Sequence, residues 1–330
     1  MSHEVETMAY AHDAKKGTAP GFNGEHTVPW HGLGEKVSQY VTCEEMLVAA
    51  GLDWTVHQMP LFFRDDAGES HGVDRVALVR DTDKKVLTVT SPNWKPLQNK
   101  DTLEFFKKYV EAGDATLETA GSLRGGKVVW ALANLKTGFN VRGGKDRVDG
   151  YMLLTSPHEV GNAISLRATT VRVVCANTLA MAMGNGRETY RQSHVKEFDF
   201  DAAHATIEAA REEIHRASID ADTLAKMRMS QKDGVRLLAT FFQPQEEDAQ
   251  YEALLADREA WDRSFEEVVG SYLNAPGANQ TNGWGVLNAV THWADHVSGR
   301  GGEARLNSTW LGKNAGLKIK VRDKLLEMAQ

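Results

Sequence analysis

The sequence predicts an α+β fold in which antiparallel β-hairpins pack with helices and a mainly helical C-terminal part follows. Two stretches in the middle of the chain each contain two β-rich runs around a Gly-containing turn, which is the pattern of a hairpin. After residue 200 the pattern changes, and apolar residues recur at helical spacing. Strands grouped ahead of helices indicate an antiparallel sheet rather than a parallel one.

Local signals predict the elements of the N-terminal third. Residues 1–27 are polar and rich in Gly, Ala and His, and we expect them to form an arm. In VTCEEMLVAAGLDW, Thr42 and Glu45 have the spacing of a capping box, so a helix is expected to begin there and to end at Gly51. Strands are predicted in WTVHQMPLFFRD and DRVALVRDTDKKVLTVTSP, and one helix in NKDTLEFFKKYVEAG.

The two central hairpins are TLETAGSLRGGKVVWALANL and YMLLTSPHEVGNAISLRATTVRVV, and a small-residue helix is expected from about Ala176. Later helices are expected in DAAHATIEAAREEIHRA, SQKDGVRLLATFF, DREAWDRSFEEVVGSYL and GWGVLNAVTHWADHVS. The third of these carries a stripe that predicts core packing, formed by Trp261, Phe265, Val268 and Tyr272. The predicted organisation is an arm (1–27), an α+β core domain (28–200) and a helical region (201–330).

Composition restricts the class of protein. Apolar residues make up 42% of the chain and charged residues 25%, as in ordinary soluble globular proteins. No apolar run is long enough to span a membrane, and the N-terminus lacks the hydrophobic segment of a signal peptide. The two cysteines, Cys43 and Cys175, are too few for a disulfide framework. We therefore expect a cytoplasmic protein without membrane contacts.

Charge is distributed unevenly along the chain. Residues 121–197 contain eleven Lys and Arg against five Asp and Glu, whereas residues 201–270 contain eight against sixteen. Residues 300–324 are basic again. This alternation predicts an anion-binding surface in the middle of the chain, beside an acidic one.

Basic residues cluster at the turns and strands of the two hairpins. Glycines in the turns are expected to lift neighbouring cations to a common rim that contacts a phosphate backbone. Trp130 and Tyr151 are the nearest aromatic candidates for base stacking. The predicted nucleic-acid-binding residues are Arg124, Lys127, Arg142, Lys145, Arg147, Arg167 and Arg172. Since Arg167 and Arg172 are five apart in a strand, only one of the two is expected on this surface.

A nucleotide cofactor is not predicted. The stretch from Gly121 to Lys127 matches the Gly-x4-Gly-Lys part of a phosphate loop, but Val128 stands where Ser or Thr would ligate magnesium. The residues that follow are strand-like, whereas a phosphate loop opens a helix. We interpret the stretch as a hairpin turn and expect no cofactor.

Cys175 allows an alternative, enzymatic hypothesis. A Cys- or metal-dependent hydrolase would use Cys175 with His158 or His194 as the base. However, Cys175 ends the apolar run VRVV, which favours a buried structural residue. Asn177 and Thr178 are interpreted as helix-capping groups.

A second set of histidines has the spacing of metal ligands. In HWADH, His292 and His296 are four apart on a predicted helix, where two imidazoles can bind one metal ion. Trp293 occupies the position at which a metalloprotease carries Glu, and the spacing indicates no third ligand. We therefore predict no metal.

Six stretches occur in order along the chain and together resemble a phage- and plasmid-borne protein family classified as a domain of unknown function (932 type). They are VPWHGLG, LQN, TAGSLRGGKVVWALANL, DGYMLLTSPHEVGNAI, VRVVCANTLAMA and TNGWGVLNAVTHWADH. The resemblance implies a mobile-element gene in a bacterial cytoplasm and no catalytic residues. Paired hairpins followed by a helix are also similar to the core of single-strand annealing recombination proteins, which form rings around a basic groove.

These observations predict a non-enzymatic protein that binds single-stranded DNA or RNA, most simply a strand-annealing protein acting as a homo-oligomer. The hydrolase built on Cys175 is one alternative. The other is a non-catalytic phage interaction or structural protein, which no feature of the sequence excludes.

Overall fold

The computed structural model describes residues 5–12, 35–38, 41–144, 146–172, 177–179, 190–243, 258–299, 308–309 and 312–330. The strands are β1 (Val5–His12), β2 (Glu35–Ser38), β3 (Val56–Arg64), β4 (Ser70–Arg80), β5 (Val86–Thr90), β6 (Thr116–Leu123), β7 (Val128–Asn140), β8 (Arg147–Pro157), β9 (Ile164–Arg172), β10 (Asn177–Leu179) and β11 (Tyr190–Gln192).

The helices are α1 (Cys43–Ala49), α2 (Asn99–Glu104), α3 (Lys107–Glu111), α4 (Phe200–Lys226), α5 (Gln231–Phe242), α6 (Arg258–Asn274), α7 (Gly283–His292) and α8 (Lys313–Met328). A short 3-10 helix (Val141–Gly143) follows β7, and a π-helical turn (Trp293–Val297) follows α7. Among the described residues, no helix combines the length and apolar composition needed to cross a membrane.

The strands form two sheets. The larger has the order β10-β9-β8-β7-β6-β1-β2, and β11 pairs with β9 at the opposite end from β10. All of its pairings are antiparallel except that of β1 with β2. The smaller sheet is the antiparallel meander β3-β4-β5. Sheets packed with helices, followed by a helical C-terminal part, confirm the predicted α+β class.

Local chemistry explains where α1 begins. The Thr42 side chain accepts a hydrogen bond from the backbone N–H of Glu45, and the Glu45 carboxylate accepts one from the backbone N–H of Thr42. This is the predicted capping box, which satisfies two N–H groups at the helix start. The helix gives way to a turn in which Gly51 has a φ of +61°, as its position after the apolar run predicts.

Two predicted helices differ from the structure. The single helix expected in NKDTLEFFKKYVEAG is divided into α2 and α3, and the break at Phe105 and Phe106 allows both adjacent rings to be fully buried. The prediction of a helix from about Ala176 is wrong for its first residues. Residues Asn177–Leu179 form β10, which extends the sheet by pairing with the end of β9, so Asn177 and Thr178 are not helix caps.

The arm predicted for residues 1–27 includes a strand of the larger sheet. Backbone pairing joins Ala9 of β1 to Ala120 of β6 and to Glu35 of β2. The N-terminal segment is therefore docked along the sheet at residues 5–12. Polar composition alone does not reveal such pairing, because backbone groups supply its hydrogen bonds.

One face of the larger sheet packs against α4. The register aligns Leu117, Ala133, Met152 and Ala168 in one row across β6–β9, and these residues share a core with the first half of α4. A methyl group at Gly150 would overlap Cδ1 of Ile214, so the strand and the helix approach closely there. We call this the helix face of the sheet.

The helical C-terminal part has a core of its own. Its apolar residues come from α5, α6, α7, α8, the second half of α4 and the β7–β8 connection, where Val141 and Val148 contribute. The boundary predicted near residue 200 coincides with the start of α4. Since α4 contributes Ile214 to one core and Leu224 to the other, this helix links the sheet to the helical part.

Candidate functional site

The β6–β7 turn carries the first two predicted binding residues. Arg124 lies in the turn with a φ of +54°, and its Nη1 contacts Oε1 of Glu159 at 2.5 Å. The Lys127 side chain is half-buried, and its carbonyl accepts a hydrogen bond from the backbone N–H of His158. The turn joins two strands, so the phosphate-loop-like sequence forms a hairpin turn.

The β7–β8 turn lies at the opposite end of the sheet. Arg142 has a φ of +53° and donates its backbone N–H to Asp222 of α4 at 2.5 Å. Lys145 lies outside the described residues. Because β7 is 13 residues long, the two turns are separated by roughly 40 Å. The sequence-based prediction of a single basic rim is therefore wrong. Consecutive turns of a meander lie at opposite ends of the sheet, so the β6–β7 and β7–β8 turns do not share one rim.

Other residues predicted to bind nucleic acid lie together on the face of the sheet away from α4, which we call the far face. The register aligns Leu132, Leu153 and Arg167 in one row, and Trp130, Thr155, Ser165 and Arg191 in the next. Alternation along β8 adds Arg147, Asp149 and Tyr151 to the same face. Position 172 falls on the opposite face from Arg167, as the five-residue spacing predicts.

The far face carries polar, charged and aromatic side chains beside Leu132 and Leu153, whereas the helix face is mainly aliphatic. Trp130 is 0% and Tyr151 8% exposed, and neither belongs to the two cores formed by the described residues. Burial raises the pKa of Tyr151 well above its usual value, and the charges of Glu118 and Asp149 raise it further. Arg147 Nε contacts Asp149 Oδ1 at 2.7 Å, and Arg191 is exposed.

His158 lies immediately after β8 and is fully buried, and Asn99 fixes its tautomer. Nδ2 of Asn99 donates to the carbonyl oxygens of Leu52 and Trp54, each at 3.0 Å, so its Oδ1 is the atom that faces Nε2 of His158, 3.1 Å away. An amide oxygen only accepts, and therefore Nε2 carries the proton while Nδ1 presents its lone pair. Burial, with a smaller contribution from His194, lowers the pKa of His158 to about 3.

His194 follows β11 and is held by the loop that precedes α2. Its Nδ1 lies 3.1 Å from the carbonyl oxygen of Lys95, and its ring stacks on Trp94 with centroids 4.1 Å apart. A carbonyl only accepts, so Nδ1 is protonated and Nε2 presents its lone pair. Burial lowers the pKa of His194, and the hydrogen bond to Lys95 opposes this shift. Both imidazoles are therefore neutral at pH 7.

Three buried polar atoms in this region have no hydrogen-bond partner among the described residues. They are Nδ1 of His158, Nε2 of His194 and Nε1 of Trp94. A buried polar atom without a partner costs about 1–3 kcal/mol, so such atoms indicate an unseen water, ion or ligand. We call His158, His194 and Trp94 the imidazole site.

Sequence reasoning found the two histidines but missed the groups that orient them. Asn99 ends the LQN stretch and Trp94 lies five residues earlier, yet neither has a charge or a motif of its own. Hydrogen bonds across 59 residues, from His158 to Asn99, and across 99 residues, from His194 to Lys95, cannot be read from local patterns. Cys175, the nucleophile of the enzymatic hypothesis, lies outside the described residues.

His292 and His296 are close, with ring centroids 4.8 Å apart. His292 ends α7, and its Nδ1 lies 3.1 Å from Oγ of Ser271, whereas His296 lies in the π-helical turn. Burial and the neighbouring His296 lower the pKa of His292 to about 4. Within the described ranges, no group of three or more His, Cys, Asp or Glu residues is arranged to hold a metal ion.

Comparison with known proteins gives one match. The model of a family described as "Domain of unknown function (DUF932)" matches residues 86–311, which is more than half of the chain. No curated protein and no solved structure matches the chain.

Proposed function

Since the chain belongs to the family described as "Domain of unknown function (DUF932)", a description that states no activity, we propose a function from the far face of the sheet. The protein binds single-stranded nucleic acid there without a cofactor. It does so as a homo-oligomeric strand-annealing protein of a phage or plasmid, in the bacterial cytoplasm.

One observation carries the proposal: the far face combines cations with aromatic rings. Arg147, Arg167 and Arg191 come from β8, β9 and β11, and they share this face with Trp130 and Tyr151. Helices pack on the other face, whereas on the far face Arg191 is exposed and Arg147 and Arg167 are partly exposed. The meander β6–β9 followed by the long α4 is also the arrangement that resembles annealing proteins.

The chemistry of this face suits unpaired strands. Guanidinium groups release counterions when they bind phosphates, which gives affinity without reading sequence. Aromatic rings stack on any base, but only where the base is unpaired. Because Trp130 and Tyr151 are buried, we expect phosphates to contact the arginines first and bases to reach the rings only after a rearrangement. Phosphate replaces Asp149 as the partner of Arg147 in this scheme.

Fluorescence anisotropy with a labelled oligothymidylate, and with the same strand in a duplex, tests the proposal. We expect the single strand to bind more tightly, and light scattering to show an oligomer in its presence. Binding to neither nucleic acid would contradict the proposal and favour a phage interaction or structural protein. Equal affinity for duplex would exclude stacking on the far face.

A hydrolase that uses Cys175 with His158 or His194 is a second candidate, because both imidazoles lie at one end of the sheet with their lone pairs available. Iodoacetamide labelling of the native protein tests it. Cys43 serves as an internal control, since burial raises its pKa to about 12 and keeps its thiol unreactive. Fast labelling that Cys175→Ser abolishes would support the hydrolase, and labelling only after denaturation would exclude it.

A further inference from the structure

The small sheet extends beyond its third strand as a two-stranded ribbon. β5 pairs with β4 from Val76 to Val79, whereas β3 and β4 remain paired as far as Arg64 and Ser70. Among the described strands, no third strand flanks this outer part. A two-stranded hairpin alone is marginally stable in water, so a further surface that packs on the ribbon would stabilise it.

One face of the small sheet carries a row of exposed apolar side chains. The register aligns Met59, Ala77 and Val89 across the three strands, and alternation along β3 adds Phe63 to the same face. We call this face the outer patch. Its large apolar members are 41–55% exposed, and they are Met59, Phe63, Val73, Val86 and Val89.

The opposite face of the small sheet is occupied. Val56 and Leu78 lie on it and belong to the core that the larger sheet shares with α4. Farther along β3, Phe62 lies on this side of the ribbon, opposite Gly72, and is 63% exposed. Phe62 and Phe63 are therefore adjacent in sequence and similarly exposed, but they point to opposite faces.

Local contacts hold the ribbon in shape. The Phe63 ring stacks on that of His71, with centroids 5.1 Å apart, and Nε2 of His71 lies 2.7 Å from Oδ2 of Asp65. In the turn, Oδ1 of Asp65 accepts the backbone N–H groups of Ala67 and Glu69. A surface that is ordered before binding loses less conformational entropy on association.

The area of the outer patch fits a small dimer interface. Aromatic side chains have about 150–250 Å² of surface and aliphatic ones somewhat less, so five that are half exposed offer roughly 400 Å² per copy. Two copies would bury about 800 Å² of apolar surface, which at about 60% apolar content corresponds to about 1,300 Å² in total. Specific interfaces begin at about 1,200 Å², so the patch suffices for a weak, reversible dimer.

Charge distinguishes between possible partners. The end of the ribbon carries two exposed arginines and four exposed acidic residues, which are Arg64, Asp65, Asp66, Glu69, Asp74 and Arg75. A nucleic acid or an anionic membrane requires an excess of basic residues. A surface that carries both signs can instead pair with a second copy of itself.

Pro60 favours association through the face of the sheet over association through its edge. Among the described strands, β3 pairs only with β4. Since proline has no N–H to donate to an added strand, Pro60 in the middle of β3 opposes pairing along this edge.

We propose that the outer patch is the interface through which two copies of this chain associate face to face across a two-fold axis. In such a contact each copy supplies the same surface, so Phe63 and Val89 of both copies are buried in it. The inference rests on the proposed homo-oligomer, for which it supplies the contact surface, but it requires no nucleic acid and no residue of the far face.

Sedimentation velocity of the full chain across the micromolar range, without nucleic acid, tests the interface. The wild type should change from monomer to dimer as its concentration rises. Phe63→Asp and Val89→Asp should each raise the dissociation constant about 10-fold or more, because each places a carboxylate without a partner in an apolar contact.

Phe62→Asp is the matched control. It makes the same substitution at the neighbouring residue, on the opposite face of the ribbon, and should leave the dissociation constant unchanged. All three positions are exposed, so the core stays intact, and circular dichroism verifies that each variant is folded.

A wild type that stays monomeric over the whole range, with and without oligothymidylate, overturns the interface. A dimer that Phe63→Asp leaves unchanged, or that Phe62→Asp weakens equally, also overturns it. Oligothymidylate binding by the same samples separates the two proposals. A monomer that binds the strand contradicts only the outer patch, whereas a dimer that the patch variants dissociate but that binds no strand supports the patch and contradicts only the nucleic-acid function.

Discussion

The indole Nε1–H of Trp284 donates to Oδ2 of Asp146 at 2.8 Å, which joins α7 to the β7–β8 turn across 138 residues of sequence. Asp146 also accepts, through its carbonyl oxygen, the backbone N–H of Val141. The turn predicted to contact phosphate is therefore docked on the helical part.

Replacing the donor of this bond should destabilise the protein. We expect Trp284→Phe to lower the free energy of unfolding by about 1.5–3 kcal/mol, because the ring is buried and the lost hydrogen bond is to a carboxylate. Urea denaturation measures the change. In a double-mutant cycle with Asp146→Asn, the two effects should be non-additive; simple additivity would show that the bond does not couple the turn to α7.

Breaking a buried ion pair in the helical part should lower the free energy of unfolding more than Trp284→Phe does. Nζ of Lys318 lies 3.0 Å from Oδ1 of Asp295, and the side chains are 2% and 0% exposed. Lys318→Met should cost about 3–5 kcal/mol, since it removes one partner of a buried ion pair. The double variant Lys318→Met/Asp295→Leu should be more stable than the single one.

The exposed pair of Arg236 with Asp233 is the control for this measurement. Arg236→Ala should change stability by less than about 0.5 kcal/mol. A Lys318→Met variant as stable as Arg236→Ala would show that the buried pair is not needed.

Two helical glycines, one crowded and one open, allow the packing around α7 to be compared with that around α8. A methyl group at Gly285 in α7 would lie 2.6 Å from the carbonyl oxygen of Ala278 and 2.7 Å from that of Gln280, whereas one at Gly316 in α8 has no atom within 4 Å. Gly285→Ala should therefore destabilise by about 1–3 kcal/mol. Gly316→Ala should be neutral or stabilise by up to about 1 kcal/mol. Equal thermal shifts for both variants would contradict this packing.

Acid should destabilise the helical part through His292. Its pKa is about 4 in the folded protein against 6.5 for the free side chain, so the unfolded chain binds more protons between these values. Stability contributed by this residue is therefore lost as the pH falls from about 6.5 to about 4. His292→Gln should flatten the dependence of the urea midpoint on pH in this window. If the urea midpoint of His292→Gln depends on pH as steeply as that of the wild type, His292 is not the source of the acid sensitivity.

Local patterns predicted most elements of the fold. The capping box of α1, both central hairpins and the helices after residue 200 depend on neighbouring residues, and these are present in the structure. The exceptions have non-local causes. β10 is a strand because β9 offers an unpaired edge, and α2 ends because Phe105 and Phe106 both enter the core.

The candidate sites were harder to predict than the fold. Alternation along strands correctly separated the positions of Arg167 and Arg172, because it depends only on spacing. Which turns share an end of the sheet depends on strand order, and grouping Arg124 with Arg142 was therefore wrong. The partners of His158 and His194 come from a loop far away in sequence, so only the folded chain reveals them.

The salt dependence of single-strand binding tests the central claim, that the far face binds phosphates. Oligothymidylate affinity is measured across a salt series for the wild type and for Arg147→Ala, Arg167→Ala and Arg191→Ala, with Arg124→Ala and Arg142→Ala as controls from the two turns. Each far-face variant should reduce the slope of log K against log salt by about 1, and the controls should leave it unchanged. Equal slopes for all variants, or losses confined to Arg124 and Arg142, would contradict the account.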